Sequence, residues 1–145
     1  MKPFVAFLVA AMAGASMALQ GAFNAVLGKK VGPFHASFVV HVVGTILLGT
    51  ILLFMANEAG FEKIRESPWY AFLGGPLNVL IIWAVLSSIG RLGVAPATTA
   101  ILFAQIGTAL ALDLVGFVGT KARFTPLKAA GAVLFGLGAW LLLRE

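Results

Sequence analysis

Apolar residues run through this chain in blocks too long for a soluble fold. Residues 3–27, 34–56, 69–89, 94–118 and 127–143 are each predominantly apolar. About 20 such residues in an α-helix cross the hydrocarbon core of a bilayer. A membrane barrel would need strands of about 10 residues that alternate polar and apolar positions. These blocks are continuous, so they predict five transmembrane helices in an all-α integral membrane protein. The polar positions fall between them. Gly28-Lys29-Lys30-Val31-Gly32-Pro33 and Gly90-Arg91-Leu92-Gly93 read as tight connections, with Gly and Pro closing one helix and opening the next. Residues 57–68 carry Glu58, Glu62, Lys63, Arg65 and Glu66, and residues 119–126 carry Lys121 and Arg123. No loop could fold alone, so residues 1–145 read as one transmembrane domain. Trp69, Tyr70 and Trp140 sit near helix ends, as an interfacial aromatic belt would.

Composition narrows the alternatives. Of 145 residues, 61% are hydrophobic and 10% charged, and mean hydropathy is +1.04. A soluble globule or a disordered chain needs far more polar surface. With no Cys, a disulfide scaffold, a zinc ribbon and thiol chemistry are excluded. The net charge of +5 comes from basic residues that flank apolar runs, so it marks membrane boundaries rather than a nucleic-acid surface.

Five spans would put the termini on opposite sides. Lys2, Lys63, Arg65, Lys121, Arg123 and Lys128 then share one side, and Lys29, Lys30, Arg91 and Arg144 the other. That split is too even for the positive-inside rule to set one orientation. A fixed orientation with a modest bias and a dual topology both stay open. In the second case two antiparallel copies would form a ten-helix homodimer and supply the inverted repeat from which many transporters are built. Ser16-Met17-Ala18 loosely fits a leader cleavage site, but apolar character continues to Leu27, so the first helix is expected to be retained.

Close packing holds membrane helices together, because lipid tails are as apolar as Leu. Ala11, Gly14, Ala18, Gly21, Ala25 and Gly28 form a seam of small residues along the first helix. Gly131 and Gly138 lie one heptad apart on the fifth helix, alongside the small pair Ala132 and Gly136. Such faces serve packing within one copy or between copies.

Polar residues inside spans carry most of the candidate chemistry, because they normally face the bundle interior or a water-filled cavity. Asp113 is the one acid within a span and is the candidate proton or cation site; pairing with a basic or amide group is its structural alternative. Gln105 lies two turns before it. Gln20 and Asn24 are one turn apart on the first helix, and Ser37, His41 and Thr45 form a row on the second. In the third, Gly74-Gly75-Pro76-Leu77-Asn78 predicts a kinked helix that exposes carbonyls beside Asn78 near mid-membrane. Trp83 is too deep for the belt and is a candidate cavity wall. Gln20, Asn24, His41, Asn78, Trp83 and Gln105 are therefore the candidate substrate contacts. Asp113 of one copy would reach the level of Gln20 and His41 in an inverted partner.

Leu19-Gln20-Gly21-Ala22-Phe23-Asn24 with Leu27-Gly28, Val43-Gly44-Thr45, Pro68-Trp69 into Leu73-Gly74-Gly75, Arg91-Leu92-Gly93, and Gln105 with Asp113-Leu114-Val115-Gly116 appear in that order. With the stretch from Gly131 to Gly138, this set resembles the five-helix, half-length YdcZ-like family of the drug/metabolite transporter superfamily. The resemblance implies a multi-pass inner (plasma) membrane protein of bacterial type that assembles from oppositely oriented halves. It maps Gln20, Asn24, Gln105 and Asp113 as the matched polar residues. Pro76-Leu77-Asn78 departs from the family pattern, in which a small residue is expected in place of Asn78. The first-helix Glu of the small multidrug exporters has no counterpart here.

The leading expectation is a secondary active exporter of a small metabolite or drug-like molecule, working by alternating access in an inverted dimer. The alternatives are a passive ion channel formed by an antiparallel dimer and a non-transporting structural subunit. An enzyme is not expected: no metal-ligand cluster, paired carboxylates or Ser-His-acid set appears. No phosphate-cradling Gly loop with Lys implies ATP, and no cofactor or metal is expected. The expected partners are lipid, substrate and a second copy of the chain.

Overall fold

The computed structural model describes residues 3–55, 62–117 and 125–144. Among the described residues five α-helices follow one another: α1 Pro3–Val31, α2 Pro33–Phe54, α3 Gly74–Leu92, α4 Val94–Val115 and α5 Pro126–Leu142. Two 3-10 segments, Glu62–Glu66 and Trp69–Leu73, precede α3. α1, α2, α4 and the combined stretch Trp69–Leu92 are long and apolar enough to cross a membrane. α5 is apolar and has 17 residues, about 26 Å of helix. The architecture is that of an all-helical integral membrane protein.

α1 runs one turn beyond the expected stop at Leu27. Gly28 stays helical, and Lys29 and Lys30 fill the last turn, where cations complement the negative end of the helix dipole. The reversal falls on Gly32 alone, at φ 85, a conformation glycine adopts without steric cost. Its N–H donates to the Gly28 carbonyl at 2.9 Å, and its own carbonyl accepts from Ala36 N–H at 3.0 Å. One residue thus closes α1 and opens α2.

Two further boundaries differ from the sequence expectation. Pro76 lies in the first turn of α3, not mid-helix. A missing N–H costs little there, because first-turn donors have no intrahelical acceptor. The chain changes from 3-10 to α at Gly74, so the expected kink is replaced by a helix start. α4 ends at Val115, before the expected Val118. Gly116 takes a left-handed φ of 71, and its N–H meets the Leu112 and Asp113 carbonyls, satisfying groups a helix end leaves open. Residues 118–124, including Lys121 and Arg123, lie outside the described residues.

Backbone contacts divide the chain into two units, Met1–Arg91 and Leu92–Glu145. In the first, Ala36, Ile82 and Leu86 form a buried cluster, with Leu27 and Val40 packed against it. Glycines on α1 admit α3 side chains closely. A Cβ on Gly28 would lie 2.6 Å from Leu86 Cδ2, and one on Gly21 would lie 2.9 Å from Ile89 Cδ1. A Cβ on Gly14 would meet nothing within 4 Å.

In the second unit α4 and α5 pack through aromatics. The Phe103 and Phe135 rings stack at 6.5 Å, nearly parallel at 4°. Gly136 makes room for Phe103, whose ring edge would be 3.2 Å from an added Cβ. Positions 131 and 138 have open space instead. Thr125 caps α5 by accepting from Lys128 N–H. Arg144 lies 4.2 Å above the Trp140 ring, a cation–π contact at the helix end.

Candidate functional site

The best-formed polar contact in the first unit joins α2 to α3. His41 Nε2 lies 3.0 Å from Asn78 Nδ2, and His41 Nδ1 lies 2.7 Å from the Ser37 carbonyl. An amide nitrogen only donates and a carbonyl only accepts. Nε2 therefore accepts from Asn78, and Nδ1 carries the ring proton and donates to Ser37. These contacts correspond to the Nδ1–H tautomer of the ring.

Depth makes this pair notable. Counted along the helices, His41 is about 4 Å from the midpoint of α2, and Asn78 about 4 Å from that of the stretch Trp69–Leu92. Asn78 is exposed, and its Oδ1 and second N–H have no partner among the described residues. Lipid offers no hydrogen bond at that level, so these atoms are open to a solute, water or another chain.

Two more polar side chains lie in this unit. Ser37 is 2% exposed, and its Oγ has no hydrogen-bond partner among the described residues. Asn24 is 9% exposed, buried on α1 with Gly21 and Ala25, and makes no hydrogen bond among the described residues. Gln20 is exposed, about 4 Å from the α1 midpoint.

Next to Asn78 in sequence, α3 carries an apolar cleft of about 320 Å³, lined by Phe34, Pro76, Val79, Leu80 and Trp83. Trp83 is half-buried and stacks on Phe34 at 5.8 Å and 25°. An amide with free hydrogen-bonding atoms and an aromatic-lined cleft thus share one helix, a combination that suits a small amphipathic molecule.

On α4, Gln105 and Asp113 are both exposed. Gln105 lies at the helix midpoint. Asp113 lies about 13 Å from it, nearer the helix end than the sequence-based span implied, because α4 stops at Val115. Its carboxylate has no ion pair among the described residues. A separate apolar cleft of about 670 Å³ between α4 and α5 is lined by residues including Phe103, Gly107, Thr108 and Phe135. Neither Gln105 nor Asp113 lines it. Among the described residues no three His, Asp or Glu side chains gather as metal ligands would.

The structure joins His41 to Asn78 directly and sets Trp83 in a cleft on the Asn78 helix. Sequence reasoning had not picked out Phe34 as the ring facing Trp83, or Ser37 as an unpaired hydroxyl. The i, i+4 spacing of Ser37 and His41 was a visible signal. The bond from His41 to Asn78, 37 residues apart, had none.

Comparison with known proteins agrees with this architecture. Residues 5–141 match a family model described as "Putative inner membrane exporter, YdcZ". The chain is 28% identical over 145 residues to the inner membrane protein YdcZ of Escherichia coli (strain K12), covering 97% of this chain and 95% of that protein. No solved structure matches it.

Proposed function

Because the chain belongs to the YdcZ family of multi-pass inner-membrane proteins, we propose that it is a secondary active exporter of a small metabolite or drug-like molecule. Two copies in inverted orientation enclose the path, and alternating access exchanges their roles. The observation that carries this reading is the pair His41 and Asn78: a polar contact near mid-span whose unused amide atoms face outward from a single copy. Such atoms are costly against hydrocarbon and are normally found where a cavity or a partner meets the helix.

In this reading Asn78 and His41 orient the polar part of the substrate. Gln20, Asn24 and Gln105 add hydrogen bonds from one copy or the other, and Trp83 encloses the apolar part. Asp113 couples export to a proton or cation by exchanging it against substrate. A cavity with a few polar groups at distinct depths favours an occluding site over a pore, which needs a continuous polar lining.

A thermal-shift screen of small amphipathic molecules identifies ligands. Asn78→Ala should weaken their binding by roughly tenfold, the effect of one buried hydrogen bond to a ligand. Equal stabilisation of wild type and variant would remove Asn78 from the site. In Asp113→Asn, export driven by an imposed proton or cation gradient should be lost while ligand binding persists. Gradient-driven export that survives the substitution would remove coupling at Asp113. Proteoliposome flux far above about 10³ per second would favour the channel.

A further inference from the structure

A second pocket in the first unit has different chemistry. It encloses about 220 Å³ and is lined by Ala25, Gly28, Lys29, Pro33, Leu86, Ser87, Gly90 and Arg91. Lys29 and Arg91 come from the last turns of α1 and α3. Neither makes an ion pair or hydrogen bond among the described residues. No acidic side chain is among the residues that line the pocket.

The rest of the lining completes a binding site. Ser87 is half-buried and, unlike Ser88, which donates to the Val85 carbonyl, makes no hydrogen bond within its helix. It adds a free donor to the lining. Ala25, Pro33 and Leu86 give an apolar floor. The Gly28 carbonyl already accepts from Gly32 N–H, which limits its repulsion of an anion. Gly90 keeps the space open: a Cβ there would meet nothing within 4 Å.

We propose that this pocket binds a phosphate-type oxyanion. Arg91 presents a planar fork suited to two phosphate oxygens, Lys29 a mobile ammonium, and Ser87 a hydroxyl. The charged rim over an apolar floor fits the phosphate of an anionic lipid whose glycerol and acyl chains continue along the helices. A free phosphate offers the same oxyanion without the tail.

The test uses the full-length protein in nanodiscs, with native mass spectrometry reading bound phosphatidylglycerol against phosphatidylcholine. Wild type should retain phosphatidylglycerol preferentially. Lys29→Ala and Arg91→Ala should each weaken that binding about fivefold, the discrimination one cation supplies near an anionic surface. Gly90→Leu adds a side chain at the pocket wall where a Cβ meets no protein atom within 4 Å, so it should abolish retention while leaving the melting temperature unchanged. It also reads the site if a charge variant fails to fold. Displacement by inorganic phosphate would identify a free anion as occupant, and resistance to it a lipid. Equal retention by wild type, Lys29→Ala/Arg91→Ala and Gly90→Leu would overturn the site. Loss in the charge variants without loss in Gly90→Leu would mean a diffuse basic surface and overturn it equally.

Discussion

Replacing Asn78 with Leu removes the donor that faces His41 Nε2 at 3.0 Å and leaves the ring's other bond, to the Ser37 carbonyl, in place. The single substitution alone is ambiguous, because Leu also removes an exposed polar group from the bilayer and gains insertion energy. A double-mutant cycle with His41→Leu isolates the contact. Interhelical hydrogen bonds in membrane proteins average about 0.6 kcal/mol and reach about 1.7. Asn78 is exposed and His41 half-buried, so a coupling near about 0.6 kcal/mol is expected. Reversible unfolding by added SDS in mixed micelles, followed by circular dichroism, measures it across the four proteins. Nitrogen-15 NMR of wild type should show the His41 proton on Nδ1, with Nε2 unprotonated. Coupling within about 0.3 kcal/mol of zero, or a proton on Nε2, would refute the argument that this pair ties α2 to α3.

The Ser37 hydroxyl is buried without a partner among the described residues. Ser37→Ala should therefore hold or raise stability, by up to about 1 kcal/mol in the same assay; a marked loss would mean the hydroxyl is satisfied in the membrane. Gly28→Val should destabilise the first unit by about 1–3 kcal/mol, since its Cβ would lie 2.6 Å from Leu86 Cδ2. The double variant Gly28→Val/Leu86→Ala should recover part of that loss, and failure to recover would place the strain elsewhere.

The apolar blocks were legible because spanning a bilayer sets a length and a composition that no soluble element shares. The reversal at Gly32 was legible for a similar local reason: Gly beside Pro stops one helix and starts another. Helix ends were less so. Leu112 through Val118 stays largely apolar, and only the left-handed cap at Gly116 shows that α4 ends early, which shifts Asp113 toward the interface. Pro76 looked like a kink because the sequence does not show that Trp69–Leu73 adopts a 3-10 path. The candidate site was legible as a set of polar residue types, but not as contacts. Pairing His41 with Asn78 depends on how α2 and α3 cross, which apolar side chains such as Ile82 and Leu86 decide. Residue spacing along either helix carries no record of that crossing.

The proposal stands or falls on whether copies insert both ways up. The chain has no native Cys, so single cysteines need no altered background. Val31 and Ser67 are exposed, flank opposite ends of α2, and can be replaced without changing the Lys and Arg balance that orients the protein. Intact cells expressing Val31→Cys or Ser67→Cys would be treated with a membrane-impermeant maleimide. Inverted pairing predicts that each position labels in about half of the copies, because every dimer presents one of each outward. Complete labelling at one position with none at the other would fix a single orientation and contradict the inverted homodimer.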